Sequence, residues 1–305
     1  MRYRNAVLFV SLAAIWGSAF MAIKAGLAVL PPVLFAAIRY DIAGVLVLGY
    51  AALVTDPFPN DVRDLAAIAV AATLLIAGYH ALLFVGEQST TSAAAAVVVS
   101  LSPVLTTGIA RVVLPSERLS TVAFVGVLLG FLGVVIVAQP DPAQLLARDV
   151  LGKLLIFGAA LSFAVGSVLT RWLDADLPIE AMEAWSMLGG ALLMHGISVA
   201  IGESPATIAW TPRAIAALGY LSVIASAVGF LIYFDLLDRL GPVEINLVSY
   251  VAPIFAAITG YVILGESIVP ATAGGFFVIV LGFLLVKRDA IRAAYERHRR
   301  GHSRR

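Results

Sequence analysis

Residues 103–117 read Pro-Val-Leu-Thr-Thr-Gly-Ile-Ala-Arg-Val-Val-Leu-Pro-Ser-Glu, and residues 253–266 read Pro-Ile-Phe-Ala-Ala-Ile-Thr-Gly-Tyr-Val-Ile-Leu-Gly-Glu. Both start at a proline, run through an apolar stretch and end on a glutamate, about 150 residues apart with one residue of slippage. A similar offset relates Trp16-Gly17-Ser18 to Val165-Gly166-Ser167, and Gly126 and Gly133 to Gly275 and Gly282. Four matches in one register make an internal repeat.

Composition says what kind of chain is repeated. Of 305 residues 61% are hydrophobic, and the 26 glycines take the apolar share to roughly 70%, against about 45–50% in soluble proteins. Charged residues are 13%, where about 25% is usual. A soluble domain could not cover itself with so little polar surface. The chain has no cysteine, which excludes disulfides, iron–sulfur clusters and Cys-ligated zinc.

A membrane-crossing helix needs about 20 mostly apolar residues. Ten such segments are read at residues 6–27, 33–54, 65–86, 92–114, 121–138, 151–171, 181–201, 213–236, 243–264 and 269–286. The alternating strands of a porin-type barrel are absent. The expected fold is an all-α integral membrane protein of ten transmembrane helices in two inverted five-helix repeats. Residues 1–140 form the first repeat, 141–287 the second, and 288–305 a basic cytoplasmic tail. Arg2 and Arg4 before an apolar run resemble a signal peptide, but the run is longer than a usual signal core.

Lys and Arg set the orientation. With both termini inside, fifteen of them fall on the cytoplasmic side, eight in the tail after Val286, and five on the other. Five helices per half is an odd number, so the second half enters the membrane upside down. Inverted halves around a midplane site are a common architecture of secondary transporters, because each half can open one side.

The repeated motifs also resemble a known family. Trp16-Gly17-Ser18-Ala19-Phe20 with Lys24, Arg39-Tyr40, Ser102-Pro103-Val104 leading to Glu117-Arg118-Leu119, and Ala252-Pro253-Ile254 leading to Leu264-Gly265-Glu266 are similar to the EamA-type family of the drug/metabolite transporter superfamily. One departure is Leu114-Pro115-Ser116-Glu117, where that family usually has Leu-Gly-Glu. The resemblance covers residues 5 to about 287. It implies export of small metabolites such as amino acids, cytoplasmic termini, and a central cavity built by helices 1, 3, 4, 6, 8 and 9.

Candidate cavity residues follow from helical spacing. Ser100, Pro103, Thr107 and Arg111 share a face of segment 4; Asn246, Tyr250, Pro253 and Ala257 share one of segment 9. A mid-helix proline frees a carbonyl, tolerated in a bilayer only where that carbonyl meets protein or water. The two prolines are therefore gate hinges or packing kinks. Ser and Thr hydroxyls could instead bond carbonyls of their own helix. Trp16 and Phe20 in segment 1, His80 in segment 3, and Phe230 and Tyr233 in segment 8 add an aromatic lining, unless they serve as plain packing. His80, matched by Phe230 in the other half, is either a coupling-proton carrier or a neutral hydrogen-bonded histidine. Lys24 and Arg39 form a positive vestibule for a carboxylate or snorkel and bond loop carbonyls. Glu117 and Glu266 read as helix caps or loop pairs, and His195 as structural.

The glycines of segments 5 and 10, Gly126, Gly130 and Gly133 with Gly274, Gly275 and Gly282, permit close helix approach between the halves, with a homodimer contact as the other reading. The basic tail reads as a topology anchor or a binder of anionic membrane lipid, not of nucleic acid. A lipid-modifying enzyme is the rival class, resting on Asp235 and Asp238 as a Mg²⁺ pair. No H-E-x-x-H, G-x-S-x-G or nucleotide-binding loop is present. A channel would want a charged ring or a carbonyl filter. The expectation is a secondary transporter of small-molecule solutes without cofactor or metal.

Overall fold

Helices begin where a side chain or a proline relieves the first backbone amides. Pro32 and Pro212 stand in first turns, where a missing N–H leaves nothing unpaired. Asp61, Thr91 and Thr211 accept from first-turn amides of the helices they precede. Other caps come from far along the chain. The Glu203 carboxylate accepts from Val33 N and Leu34 N at 3.1 and 2.8 Å, and that of Glu266 from Ser92 N at 3.2 and 3.0 Å. Glu266 is thus a helix cap, but of the fourth helix rather than of the one that follows it.

The structure, a computed structural model, describes residues 2–113, 121–139 and 147–302. These form ten helical rods: α1 (Arg2–Gly26), α2 (Pro32–Val54), α3 (Val62–Glu87), α4 (Ser92–Val113), α5 (Thr121–Ala138), α6 (Arg148–Leu173), α7 (Ile179–Ala200), α8 (Pro212–Leu240), α9 (Val248–Leu264) and α10 (Pro270–His302). Eight are long and apolar enough to cross a membrane. α9 is apolar but shorter. α7 has 22 residues, enough for about 33 Å at 1.5 Å per residue, but Glu180, Glu183 and His195 make it more polar. Exposed Val45, Leu53, Phe124, Leu192, Val262 and Phe277 leave an outer surface suited to lipid. Glu117 and the Leu114–Glu117 departure lie outside the described residues.

Three rods widen locally into π-helical turns, in which carbonyls accept from the amide five residues on rather than four. They lie at Ala71–Gly78 in α3, Tyr220–Val228 in α8 and Gly260–Leu264 in α9. The first two begin 149 positions apart.

α4 is interrupted rather than bent. Its two parts are Ser92–Val99 and Ser102–Val113, so Pro103 sits in the first turn of the second part. Proline has no N–H for the Val99 carbonyl, and Ser102 Oγ donates to it instead at 2.7 Å. Pro253 differs, lying inside the unbroken helix Val248–Thr259. The break near it comes earlier, at Asn246–Leu247, after the short turn Pro242–Ile245.

Helix pairing has a simple rule. α5 lies along α10, α2 along α7, α1 on α9, and α4 on α6; α3 touches α6 and α7, and α8 touches α1 and α2. Exchanging the first five helices for the second five turns this set of contacts into itself. The α5–α10 contact is made by glycine. A Cβ on Gly126 would meet Gly282 O at 2.6 Å, and one on Gly282 would meet Gly126 O at 2.5 Å. One on Gly133 would meet Gly275 O at 2.7 Å, and one on Gly275 Gly133 O at 2.6 Å. Two backbones touch at two points seven residues apart, as close small-residue packing in membranes requires. Gly130 faces Leu101 and Val104 of the α4 region, and Gly274 has open space.

Gly282→Val should therefore destabilise the protein by about 1–3 kcal/mol through overpacking, seen as a lower unfolding temperature in detergent. Gly274→Val, with nothing within 4 Å of its added Cβ, should leave that temperature unchanged.

Candidate functional site

The wide turns of α3 and α8 create the interior chemistry. A π turn leaves carbonyls poorly matched to their own helix, and inside a bilayer they need a protein partner. In α3, Leu74 O accepts from Ser162 Oγ of α6 at 2.7 Å. In α8, Ala225 O accepts from Trp16 Nε1 of α1 at 3.1 Å. A glycine makes room each time: a Cβ on Gly78 would meet Ser162 Oγ at 2.7 Å, and one on Gly229 Trp16 Nε1 at 2.8 Å. The same device joins α3 to α6 and α8 to α1.

Around the α8 turn the structure brings Trp16, Phe230 and Tyr233 together. The Trp16 ring lies 5.9 Å from Phe230 and 5.6 Å from Tyr233, centroid to centroid. All three stay partly accessible. Two residues further along α1, Ser18 Oγ pairs with Tyr220 OH at 2.6 Å, and that phenol donates to Ile15 O at 3.1 Å.

His80 belongs to a second aromatic group with Tyr40, Tyr79 and Phe84, its ring 4.5 Å from both tyrosines. Its Nδ1 donates to Ile76 O at 2.9 Å, because a carbonyl only accepts. Its Nε2 pairs with Tyr40 OH at 2.6 Å. Both ring nitrogens are engaged, as in a neutral histidine accepting from a phenol.

The remaining expected residues lie elsewhere. Ser100 and Thr107 are buried, and their hydroxyls donate to Val97 O and Pro103 O of their own rod. Phe20 is buried in the main apolar core. Tyr250 packs on Phe283 of α10 at 4.4 Å, its hydroxyl buried without a partner. Pro103 and Pro253 are buried, and Asn246 is half-buried at the break before α9. Arg111 donates to Val286 O of α10 at 3.2 Å. Lys24 bonds the carbonyls of Glu87 and Gln88 at 2.9 and 3.0 Å, the loop-bonding alternative of its two readings. His195 pairs with Asp41 at 2.7 Å. Asp235 is held by Arg239 and Arg4, at 2.7 and 3.6 Å. Among the described residues no group of three His, Asp or Glu could hold a metal.

Three polar groups carry more than the spacing argument assigned them. Glu87, at the end of α3, is fully buried with both carboxyl oxygens unpartnered. Glu183, on α7, is half-buried. Arg39 is buried, with Nε donating to Ser226 Oγ of α8 at 3.2 Å. An ionisable residue inside an apolar segment is itself a signal. Glu183 stood in the seventh segment, and Glu87 one position beyond the third.

The sequence pattern of the EamA-like transporter family matches this chain twice, over residues 4–139 and 150–288. The chain belongs to the EamA-like transporter family. It is 29% identical over 292 residues to the uncharacterized inner membrane transporter YedA of Escherichia coli K12, covering 94% of this chain and 92% of that one. It is 24% identical over 277 residues to the uncharacterized transporter YoaV of Bacillus subtilis, covering 91% and 92%. A solved crystal structure superposes with a TM-score of 0.67 at 22% identity, covering 96% of this chain and 99% of its own, which supports the fold. This EamA-like protein is a multi-pass membrane transporter of small-molecule solutes, and its named relatives are transporters rather than enzymes.

Ser162→Ala and Trp16→Phe each remove the donor to a wide-turn carbonyl, and each should cost about 1 kcal/mol of stability. Ser167→Ala removes an exposed hydroxyl that bonds Phe163 O of its own helix and should change little. Unfolding temperatures of the three variants in one detergent check the order.

Proposed function

We propose that this transporter exports small organic metabolites, amino acids or related compounds, by alternating access between two inverted five-helix halves. The observation that carries the reading is the reciprocal interior: α3 with α6, and α8 with α1, are joined by one carbonyl-and-glycine device. The duplicated family match and the self-exchanging helix contacts support it. Two halves built alike can rock about the α5–α10 glycine contact, each opening the path on its own side.

The path runs between α1, α3, α4, α6, α8 and α9. Its wall comprises Trp16, Phe230 and Tyr233 with the second group around His80, while Pro103 sits at the interruption of α4 and Pro253 inside α9. Ser100, Thr107, Asn246 and Tyr250 enter the path only as the halves separate, since three are buried here. Both termini face the cytoplasm in a cell membrane. The tail after Val286 meets anionic lipid, and no nucleic acid or cofactor takes part. All the stripe glycines but Gly274 are spent within the chain, so a homodimer would use another face. With no nucleotide-binding motif, the work comes from a gradient of the solute or of protons.

Two experiments test this reading. A cysteine at Ser267, in a chain that has none, should be labelled only from the extracytoplasmic side; labelling only from the cytoplasm would refute the inverted arrangement. In proteoliposomes, Pro103→Ala and Pro253→Ala should each slow solute flux while the protein stays folded and inserted. Wild-type flux in both would reduce the prolines to packing features.

A further inference from the structure

Arg39 stands seven residues into α2, about 10 Å from its start at 1.5 Å per residue. It is 6% exposed. A guanidinium has five N–H donors, and only Nε has a hydrogen-bond acceptor here, Ser226 Oγ on the wide turn of α8. The carbon between the nitrogens lies 4.9 Å from the Tyr40 ring centroid. Among the described residues no carboxylate comes within 4 Å of this cation. Both Nη groups lack a protein acceptor, yet neither is fully enclosed.

A charge taken this deep is normally paired, because an unpaired one loses its hydration without return. The neighbours cannot supply the pair. The groups that Arg39 touches, Ser226 Oγ of α8 and the Tyr40 ring of α2, are neutral. Glu183 of α7 makes no ion pair with Arg39. Lys24, the other cation expected near this end, is spent on loop carbonyls. What remains is a planar fork with its Nη edge free, held at its Nε by α8. That edge matches a carboxylate in bidentate geometry, which an ammonium would not.

We propose that Arg39 is the anion anchor of the transport path, and that the solute presents a carboxylate to its free Nη edge. This rests on the transporter reading above. The aromatic group of Trp16, Phe230 and Tyr233, also on α1 and α8, receives the apolar body of that solute. The favoured class is an organic carboxylate with an apolar side.

The test uses the full-length protein in detergent, titrated with 3-phenylpropionate and 4-methylvalerate, each beside its primary amide, and read by thermal stabilisation. The acids should stabilise the wild type and the amides should act about tenfold more weakly or worse, as loss of a charge-assisted hydrogen bond implies. Arg39→Gln should weaken the acids about tenfold or more and leave the amides unchanged, and Arg39→Lys should keep part of the preference. If Arg39→Gln fails to fold, the acid-against-amide comparison on the wild type still decides. Acids and amides acting alike, no acid stabilising the wild type, or an intact preference in Arg39→Gln would each overturn the anchor. Flux in proteoliposomes separates the two proposals. Acid-selective binding without flux sinks the transport reading and keeps the anchor. Equal flux of acids and amides sinks the anchor and keeps transport.

Discussion

A carbonyl freed from its own helix has no water to turn to inside a bilayer, and the interior of this protein is arranged around that constraint. The π turns of α3 and α8 would be costly if left alone. Each is instead completed by a side chain from the first helix of the other half, Ser162 or Trp16, and each completion needs a glycine beside it. The break in α4 follows the same logic, with Ser102 taking the carbonyl that Pro103 cannot serve. Irregular backbone here is bound to particular partners. Moving one of these helices means exchanging those partners, so the structure favours a few discrete arrangements over continuous deformation.

The contact between α5 and α10 supplies the complementary constraint. Two backbones that touch at Gly126–Gly282 and Gly133–Gly275 cannot slide past one another without losing both contacts. Rotation about the line through them keeps both contacts in place. Rigid close packing at one edge and partner-bound irregular turns at the interior is an arrangement suited to rocking. The extracytoplasmic ties of the proposed topology belong to the same account. Glu266 to the first turn of α4, and Glu203 to that of α2, link late loops to early helices. Opening that side would require both carboxylates to let go of backbone amides.

Much of the scaffold was legible because it is written in short-range chemistry. Glycines seven apart on two segments of equal offset announce a close crossing, and Trp16-Gly17-Ser18 against Val165-Gly166-Ser167 marks the repeated first helix. The wide turns were not legible. Leu74 and Ala225 are ordinary apolar residues, and the geometry at them is decided by a donor on a distant helix. The break at residues 100–101 was half legible, since Pro103 announces a fault without saying on which side it falls. The site is the least legible part. In the sequence Tyr40 is only the neighbour of Arg39, and its pairing with His80 joins two helices that no spacing rule connects. The direction of a long cation is equally hidden. Lys24 and Arg39 looked alike in sequence, and the difference is that Glu87 and Gln88 offer carbonyls to one while Ser226 draws the other inward.

That divergence bears on how such a protein could recognise anything. Two halves built alike give a reversible motion but no chemical preference, since whatever one half offers the other offers again. Recognition has to come from positions where the halves differ. His80 answers to Phe230 at an offset of 150, and Arg39 to Gly189. Glu183 answers to Val33. The scaffold positions, by contrast, stay matched at the two α5–α10 glycine pairs and at the wide turns of α3 and α8. The charged and titratable groups of the interior are therefore the asymmetric ones, and they lie on α2, α3 and α7, beside the symmetric joints rather than in them. A substitution at a joint should then disturb motion for every solute alike, whereas a substitution at an asymmetric charge should disturb it for some solutes and not others.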